Sequence, residues 1–212
     1  MQTRNEERTR TLIVDDHPLF RTGLRMVLQR EADLEIVGEA ATGAEALAVA
    51  ARTPVDVALV DLCLPVMDGV ALTSRLHEAN PDCQVLALSA VEEPLQIAQM
   101  LRAGAHGYVF KTQDTSEIAE AIRVIRAGSR YLPSTVSTEQ IDAACGIETL
   151  SAREREVLEL LIEGRSNDDI ASDLFVARRT VETHRQRIMK KLDAHTIADL
   201  VHKASRLGVV RR

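Results

Sequence analysis

"LIVDDHPLF" (12–20) packs three kinds of local structure into nine residues. Leu12, Ile13 and Val14 form an apolar run of the sort that fills a strand covered on both faces. The run stops at two adjacent acids, Asp15 and Asp16. A helical pattern follows, with Phe20, Leu24, Val27 and Leu28 recurring on one face. Strand, charged turn and helix in immediate succession open an α/β unit. The two acids are placed where the chain leaves its core.

Outward from this stretch the same alternation repeats. Including "TLIVD" (11–15), the apolar runs are "EIVGE" (35–39), "DVALVD" (56–61), "QVLALS" (84–89) and "GYVFK" (107–111). Helical spacing fills the gaps, for instance over Leu47–Ala51, Leu72–Leu76 and Ile97–Leu101. Five short Val/Leu/Ile-rich strands alternating with helices predict an α/β fold with a doubly wound, five-stranded parallel sheet. The last helix of this half starts at "DTSE", with Asp114 as cap and Glu117 three residues on, and runs through Ile118, Ile122 and Ile125 to Gly128.

The periodicity then fades into "YLPSTVSTEQIDAACG" (131–146), read as a linker with a short helix around Thr138–Ala144. An all-α set of four helices follows. "SARE" supplies a capping box from Ser151 and Glu154 for a helix carrying Val157, Leu158, Leu161 and Ile162 and stopping at Gly164. A short helix is expected over Asn167–Leu174, a third over Thr180–Leu192 and a fourth over Thr196–Leu207, ending at Gly208. The expected organisation is a tail over 1–10, an α/β domain over 11–129, a linker over 130–146 and a helical domain over 147–212.

Charge divides along the same line. The whole chain carries −6, but residues 1–146 hold 13 basic against 21 acidic side chains, and 147–212 hold 13 against 11. From Arg178 onward there are 10 basic and 3 acidic residues, the concentration expected of a nucleic-acid surface. No apolar run approaches the roughly 18 residues that span a bilayer, and "MQTRNEERTR" (1–10) lacks the apolar centre of a signal peptide. A cytoplasmic protein with no membrane partner is expected. Cys63, Cys83 and Cys145 are odd in number and form no C-x-x-C pair, which argues against a disulfide framework or a thiolate metal site.

Ligands of an open parallel sheet bind beyond the carboxyl ends of its strands. Those ends carry Asp15 and Asp16, then Asp61, Ser89 and Lys111. Three carboxylates in one cleft repel each other, and Mg²⁺ together with Lys111 would neutralise them. Such a cleft suits phosphoryl chemistry, with a carboxylate oxygen attacking phosphorus. His17 could also bind metal, but a single histidine beside two carboxylates most often just begins a helix, and it is not counted in the site.

These residues carry a resemblance. "VDDHPLFRTGL", "DVALVDLCLPVMDG" (Asp61, Pro65, Asp68, Gly69), "VLALSA" (Ser89) and "AGAHGYVFK" (Tyr108, Lys111) resemble the receiver domain of bacterial two-component response regulators. "LSAREREVLELLIEGRSNDDIASDLFVARRTVETHRQRIMKKL" resembles the LuxR-type helix-turn-helix. Together they resemble the NarL/FixJ class. The resemblance implies a flavodoxin-like receiver with Asp61 as phosphoacceptor, loaded by a sensor histidine kinase. It implies Mg²⁺ bound by Asp16 directly, by Asp15 through water, by Asp61 and by the Cys63 carbonyl. It further implies phosphoryl binding and switching by Ser89, Tyr108 and Lys111, and a homodimer on phosphorylation. Two departures are visible: Thr112 follows Lys111 where many receivers have proline, and Glu182 stands where many relatives carry lysine.

In the third helix of the second half, Val181, His184, Ile188 and Leu192 share one face, and Glu182, Thr183, Gln186, Arg187 and Lys190 spread over the other. The outward face of a recognition helix enters the major groove of double-stranded DNA. Glu182, Thr183 and Gln186 are therefore the base-reading candidates, and Arg178, Arg179, Arg187, Lys190 and Lys191 the phosphate contacts. The reading is a phosphorylation-switched transcription regulator and not an enzyme. The alternatives are a regulator of the same architecture that acts without phosphorylation, and a phosphohydrolase-like enzyme. The latter is disfavoured because no further acid or base flanks the cleft.

Overall fold

Each of the five apolar runs forms a strand in the computed structural model, which describes residues 8–206. The strands are β1 (Thr9–Val14), β2 (Leu34–Ala40), β3 (Val57–Asp61), β4 (Gln84–Ser89) and β5 (Gly107–Phe110). They pair in parallel in the order β2-β1-β3-β4-β5. The helices between and after them are α1 (Pro18–Leu28), α2 (Gly43–Ala50), α3 (Gly69–Ala79), α4 (Pro94–Arg102) and α5 (Thr115–Arg126). All of β3 and β5, and β1 from Thr11 on, are buried, which accounts for their continuous rather than alternating apolar sequence. One face of the sheet, through Ile13, Leu59, Leu86, Leu88 and Val109, packs on Leu24 and Leu28 of α1 and Ile118, Ile122 and Ile125 of α5.

Chain order reverses between β1 and its two neighbours, β2 and β3, and this is the point where such sheets hold ligands. The register then fixes the site. Val14 pairs with Val60, so Asp15 and Asp61, one residue further on, leave the sheet side by side. Ser89 pairs with Phe110, so Lys111 emerges next to Ser89.

Five further helices follow: α6 (Thr138–Glu148), α7 (Ala152–Ile162), α8 (Asn167–Asp173), α9 (Arg178–Lys191) and α10 (Ile197–Arg206). Their core contains Leu150, Val157, Leu158, Leu161, Ile170, Val181, Ile188, Leu192 and Leu200. The capping box expected of Ser151 and Glu154 is present, and a second one links Ser166 and Asp169 at the start of α8. Gly128 and Gly164, expected to stop helices, have φ of 84° and 80°, the left-handed conformation that glycine adopts without steric cost.

The chain divides into two units, one running to Glu92 and resuming over Met100–Ser134, the other comprising Glu93–Gln99 and the chain from Thr135. Three boundaries differ from the sequence reading. Thr9 and Arg10, assigned to the tail, pair with Leu34 and Glu35 of β2, and the Arg10 guanidinium meets Asp56 at 2.9 Å. The stretch read as a linker over 130–146 begins as a cover for the sheet edge, since the Tyr108 amide donates to the Tyr131 carbonyl at 2.9 Å. It then enters α6, which reaches beyond Ala144 because Ala144 and Ile147 are buried in the helical core. The helical unit therefore has five helices where four were expected. α9 starts at Arg178 rather than Thr180, behind an extended Ala177. The residues of the tail before position 8 and the expected helix end at Gly208 lie outside the described residues.

Candidate functional site

Lys111 is the centre of the cleft. Its ammonium sits 2.7 Å from Asp15 Oδ2 and 2.8 Å from Asp61 Oδ2, and 4.8 Å from the centre of the Phe20 ring. Asp15 is fully buried and Asp61 is 2% exposed. Burial alone would push the lysine toward neutrality, but hydrogen bonds and charge from Asp15 and Asp61 outweigh it and raise its pKa. The charged form of the lysine is therefore favoured.

Local backbone holds each acid in place. The His17 amide donates to Asp15 Oδ1 at 2.8 Å, and the Cys63 amide donates to Asp61 Oδ1 at 3.3 Å. Gly69, at the start of α3, is needed because a Cβ there would lie 2.3 Å from the Asp61 carbonyl oxygen. Asp16 is partly exposed at the mouth. One oxygen each from Asp15, Asp16 and Asp61, with one nitrogen of His17, falls within 4.8 Å of the others. Among the described residues, the buried oxygens Asp15 Oδ2 and Asp61 Oδ2 have no partner but Lys111. An oxygen-rich cluster with more negative charge than its lysine can balance fits a hard divalent cation.

Ser89 and Tyr108 converge on a residue that sequence reasoning missed. The Ser89 hydroxyl accepts from the Val91 amide at 3.0 Å and donates to the Val91 carbonyl at 3.2 Å. The buried Tyr108 hydroxyl reaches the same carbonyl at 3.4 Å, and its ring stands edge-on to Phe110. Val91 has no side-chain chemistry, so no sequence signal could mark it. The periodicity of α1 marks Phe20 only as a helix-face residue, not as a neighbour of Lys111. Cys63 is exposed, and its amide contacts Asp61.

On α9 the two predicted faces are found as expected: Val181 and Ile188 are buried, while Glu182, Thr183, Gln186, Arg187 and Lys190 are exposed. The exposed residues are not equally available. Arg179, Gln186, Arg187 and Lys190 have no side-chain partner among the described residues. Arg178 binds Asp168 at 3.0 Å and Glu182 at 3.2 Å, so two of the expected DNA contacts hold each other. The Thr183 hydroxyl donates back to the Arg179 carbonyl at 2.9 Å. Lys191 is exposed but engaged within the domain: its ammonium meets the buried Glu154 at 2.7 Å and the Thr149 carbonyl at 3.0 Å. That pairing, with the Ser151 cap behind it, holds the Glu154 carboxyl down at about 2. Lys191 fixes α9 to α7, a task that helical spacing could not separate from phosphate binding.

Comparison with known proteins agrees with this architecture. Residues 11–123 match the response regulator receiver domain family, and residues 148–204 match the bacterial regulatory proteins of the luxR family. The transcriptional regulatory protein LiaR of Bacillus subtilis is 35% identical over 191 residues, 87% of this chain and 90% of that protein. The oxygen regulatory protein NreC of Staphylococcus haemolyticus is 33% identical over 206 residues, 91% of this chain and 95% of that one. Among solved structures, the RcsB response regulator of Salmonella typhimurium superposes with a TM-score of 0.60 at 25% identity, covering 94% of this chain and 99% of that one. None of the described helices is long and apolar enough to cross a membrane. The chain belongs to the response regulators that join a receiver to a LuxR-type DNA-binding domain, and is a transcriptional regulator.

Proposed function

We propose that Asp61 is the phosphoacceptor of this regulator, loaded from the phosphohistidine of a sensor histidine kinase, and that its charge state governs binding of double-stranded DNA through α9. The observation that carries this reading is the setting of Asp61: a nearly sealed carboxylate, 2.8 Å from a lysine and beside two further acids, at the end of a central strand. A carboxylate oxygen of Asp61 forms the new P–O bond as the P–N bond to the donor imidazole breaks and its electron pair returns to that nitrogen. Lys111 then balances charge on the phosphoryl oxygens. Asp15, Asp16, Asp61 and the Cys63 carbonyl would hold Mg²⁺, which supplies further positive charge at those oxygens.

Ser89 exchanges its bonds to Val91 for a phosphoryl oxygen, and the Val91 carbonyl that Tyr108 also contacts is released with it. The two switch residues are thus coupled through one peptide unit. A differential of a few kcal/mol between the two receiver conformations is enough to shift most molecules. Phosphorylation favours a homodimer, which brings two α9 helices to a pair of half-sites. In α9, Gln186, Glu182 and Thr183 read bases. Arg179, Arg187 and Lys190 hold phosphates, with Arg178 joining them on release of its acidic partners.

The test is direct. Wild-type protein incubated with acetyl phosphate and Mg²⁺ should gain one acyl phosphate, labile to acid, alkali and hydroxylamine, and bind its target DNA more tightly, and Asp61→Asn should gain neither. Phosphate on Asp61→Asn, or equal DNA affinity before and after phosphorylation of the wild type, would overturn the reading.

A further inference from the structure

His17 is a side chain of the cleft that the proposed phosphoryl chemistry does not use. It begins α1, with an extended backbone and Pro18 at the first helical position, yet its imidazole makes no capping hydrogen bond. The ring turns to the acids instead. Its Nδ1 lies 2.8 Å from Asp16 Oδ1 and 3.4 Å from Asp15 Oδ1, within the same 4.8 Å cluster as Asp61. The ring is 68% exposed, so it can settle on an ion at the mouth of the cleft without unpacking anything.

The chemistry of the donors gives this placement a meaning. Carboxylates, carbonyls and water suit Mg²⁺, which gains little from nitrogen, whereas imidazole favours the later first-row divalent ions. We propose that His17 is a ligand of the divalent cation in this cleft and a determinant of its metal preference, tilting the site from Mg²⁺ toward the later first-row transition ions such as Co²⁺. The inference rests on the reading of the cleft as a cation site given above. A histidine that only starts the helix, or only hydrogen-bonds Asp16, would affect both ions alike.

Mn²⁺ serves as the probe, with electron spin-echo spectroscopy of the full-length protein labelled with ¹⁴N- or ¹⁵N-histidine. The wild type should show a directly bound histidine nitrogen whose modulation changes with the isotope, and His17→Ala should lose it. Titrations should show Co²⁺ affinity falling about tenfold or more in His17→Ala while Mg²⁺ affinity, measured by competition, changes far less. No nitrogen modulation in the wild type, its persistence in His17→Ala, or equal losses for the two ions would refute the role of His17. Asp16→Asn separates this from the underlying reading: if Mn²⁺ still binds there with unchanged affinity, the cleft itself is not the cation site. Loss of Mn²⁺ in Asp16→Asn without a nitrogen signal in the wild type leaves the cleft standing and removes only His17.

Discussion

At the scale of single residues, the cleft is a problem in buried charge. Asp15 and Asp61 are sealed from water and share one cation, so removing that cation leaves two carboxylates with little to offset their desolvation. Lys111→Met, which preserves most of the side-chain volume, is expected to lower unfolding free energy by about 3–5 kcal/mol without divalent ions. Mg²⁺ should restore a larger share of stability to Lys111→Met than it adds to the wild type, because the ion takes over the missing charge. Denaturant unfolding of both proteins with and without Mg²⁺ measures this. An Mg²⁺ effect of equal size in the two would mean that Lys111 and the ion do not answer to the same carboxylates.

At the scale of elements, α7 and α9 are joined by an ion pair whose lysine the sequence places among the phosphate contacts. Glu154 caps its own helix through Ser151 and accepts from Lys191 at the end of α9, so a single carboxylate ties α7 to α9. Its pKa in the folded state, about 2, lies below the ordinary 4.5. A depressed carboxylate stabilises the fold fully above the ordinary value, and the contribution fades as pH falls through about 4.5 toward 2. Glu154→Gln should therefore cost about 1–3 kcal/mol at neutral pH. The gap to the wild type should narrow on acidification through that window. Thermal unfolding of both proteins across the acid range tests it, and a gap independent of pH would show that packing rather than charge holds the helices together. Element identity itself was legible. All five strands and the four helices from α7 on were readable because a covered strand needs a continuous apolar run and a surface helix needs a stripe. α6 was only half visible, since its buried residues Ala144 and Ile147 are few and face a core made by distant helices.

At the scale of the whole molecule, the charge division matches the proposed partners. The receiver half is acidic around a cleft that concentrates negative charge, while 10 of the chain's basic residues fall from Arg178 onward. Contacts to phosphate carry affinity and salt dependence but no sequence information, whereas contacts to base edges do the reverse. Lys190, exposed and without a partner among the described residues, should behave as a phosphate contact: Lys190→Ala is expected to weaken binding to all sequences alike and to reduce the slope of log K against log[salt] by about one unit. Gln186→Ala should relax preference at one or two base positions, at about 1–3 kcal/mol of lost discrimination each, and leave the slope nearly unchanged. Titrations at several salt concentrations, on a bound site and its single-base variants, decide between these roles. Reversed outcomes would mean that α9 lies in the groove in another orientation.

The sequence by itself determined the α/β class, the two-part organisation, the acids and lysine of the cleft and the outward face of α9. Each of these follows from local periodicity or from residues that the strand ends must carry. The tertiary structure decided which of these side chains meet. Parallel register set Asp15 beside Asp61 and Lys111 beside Ser89, a matter of pairing between strands far apart in the chain. It paired Lys191 with Glu154 and Arg178 with Glu182 and Asp168, so that equally exposed positions on a helical wheel became unequal. It also turned His17 toward the carboxylates and made the Val91 carbonyl the meeting point of Ser89 and Tyr108. The physical reason is common to all of them: a periodic pattern fixes the face a side chain occupies, but a charge or a hydrogen bond is satisfied only by whatever the rest of the fold brings within reach.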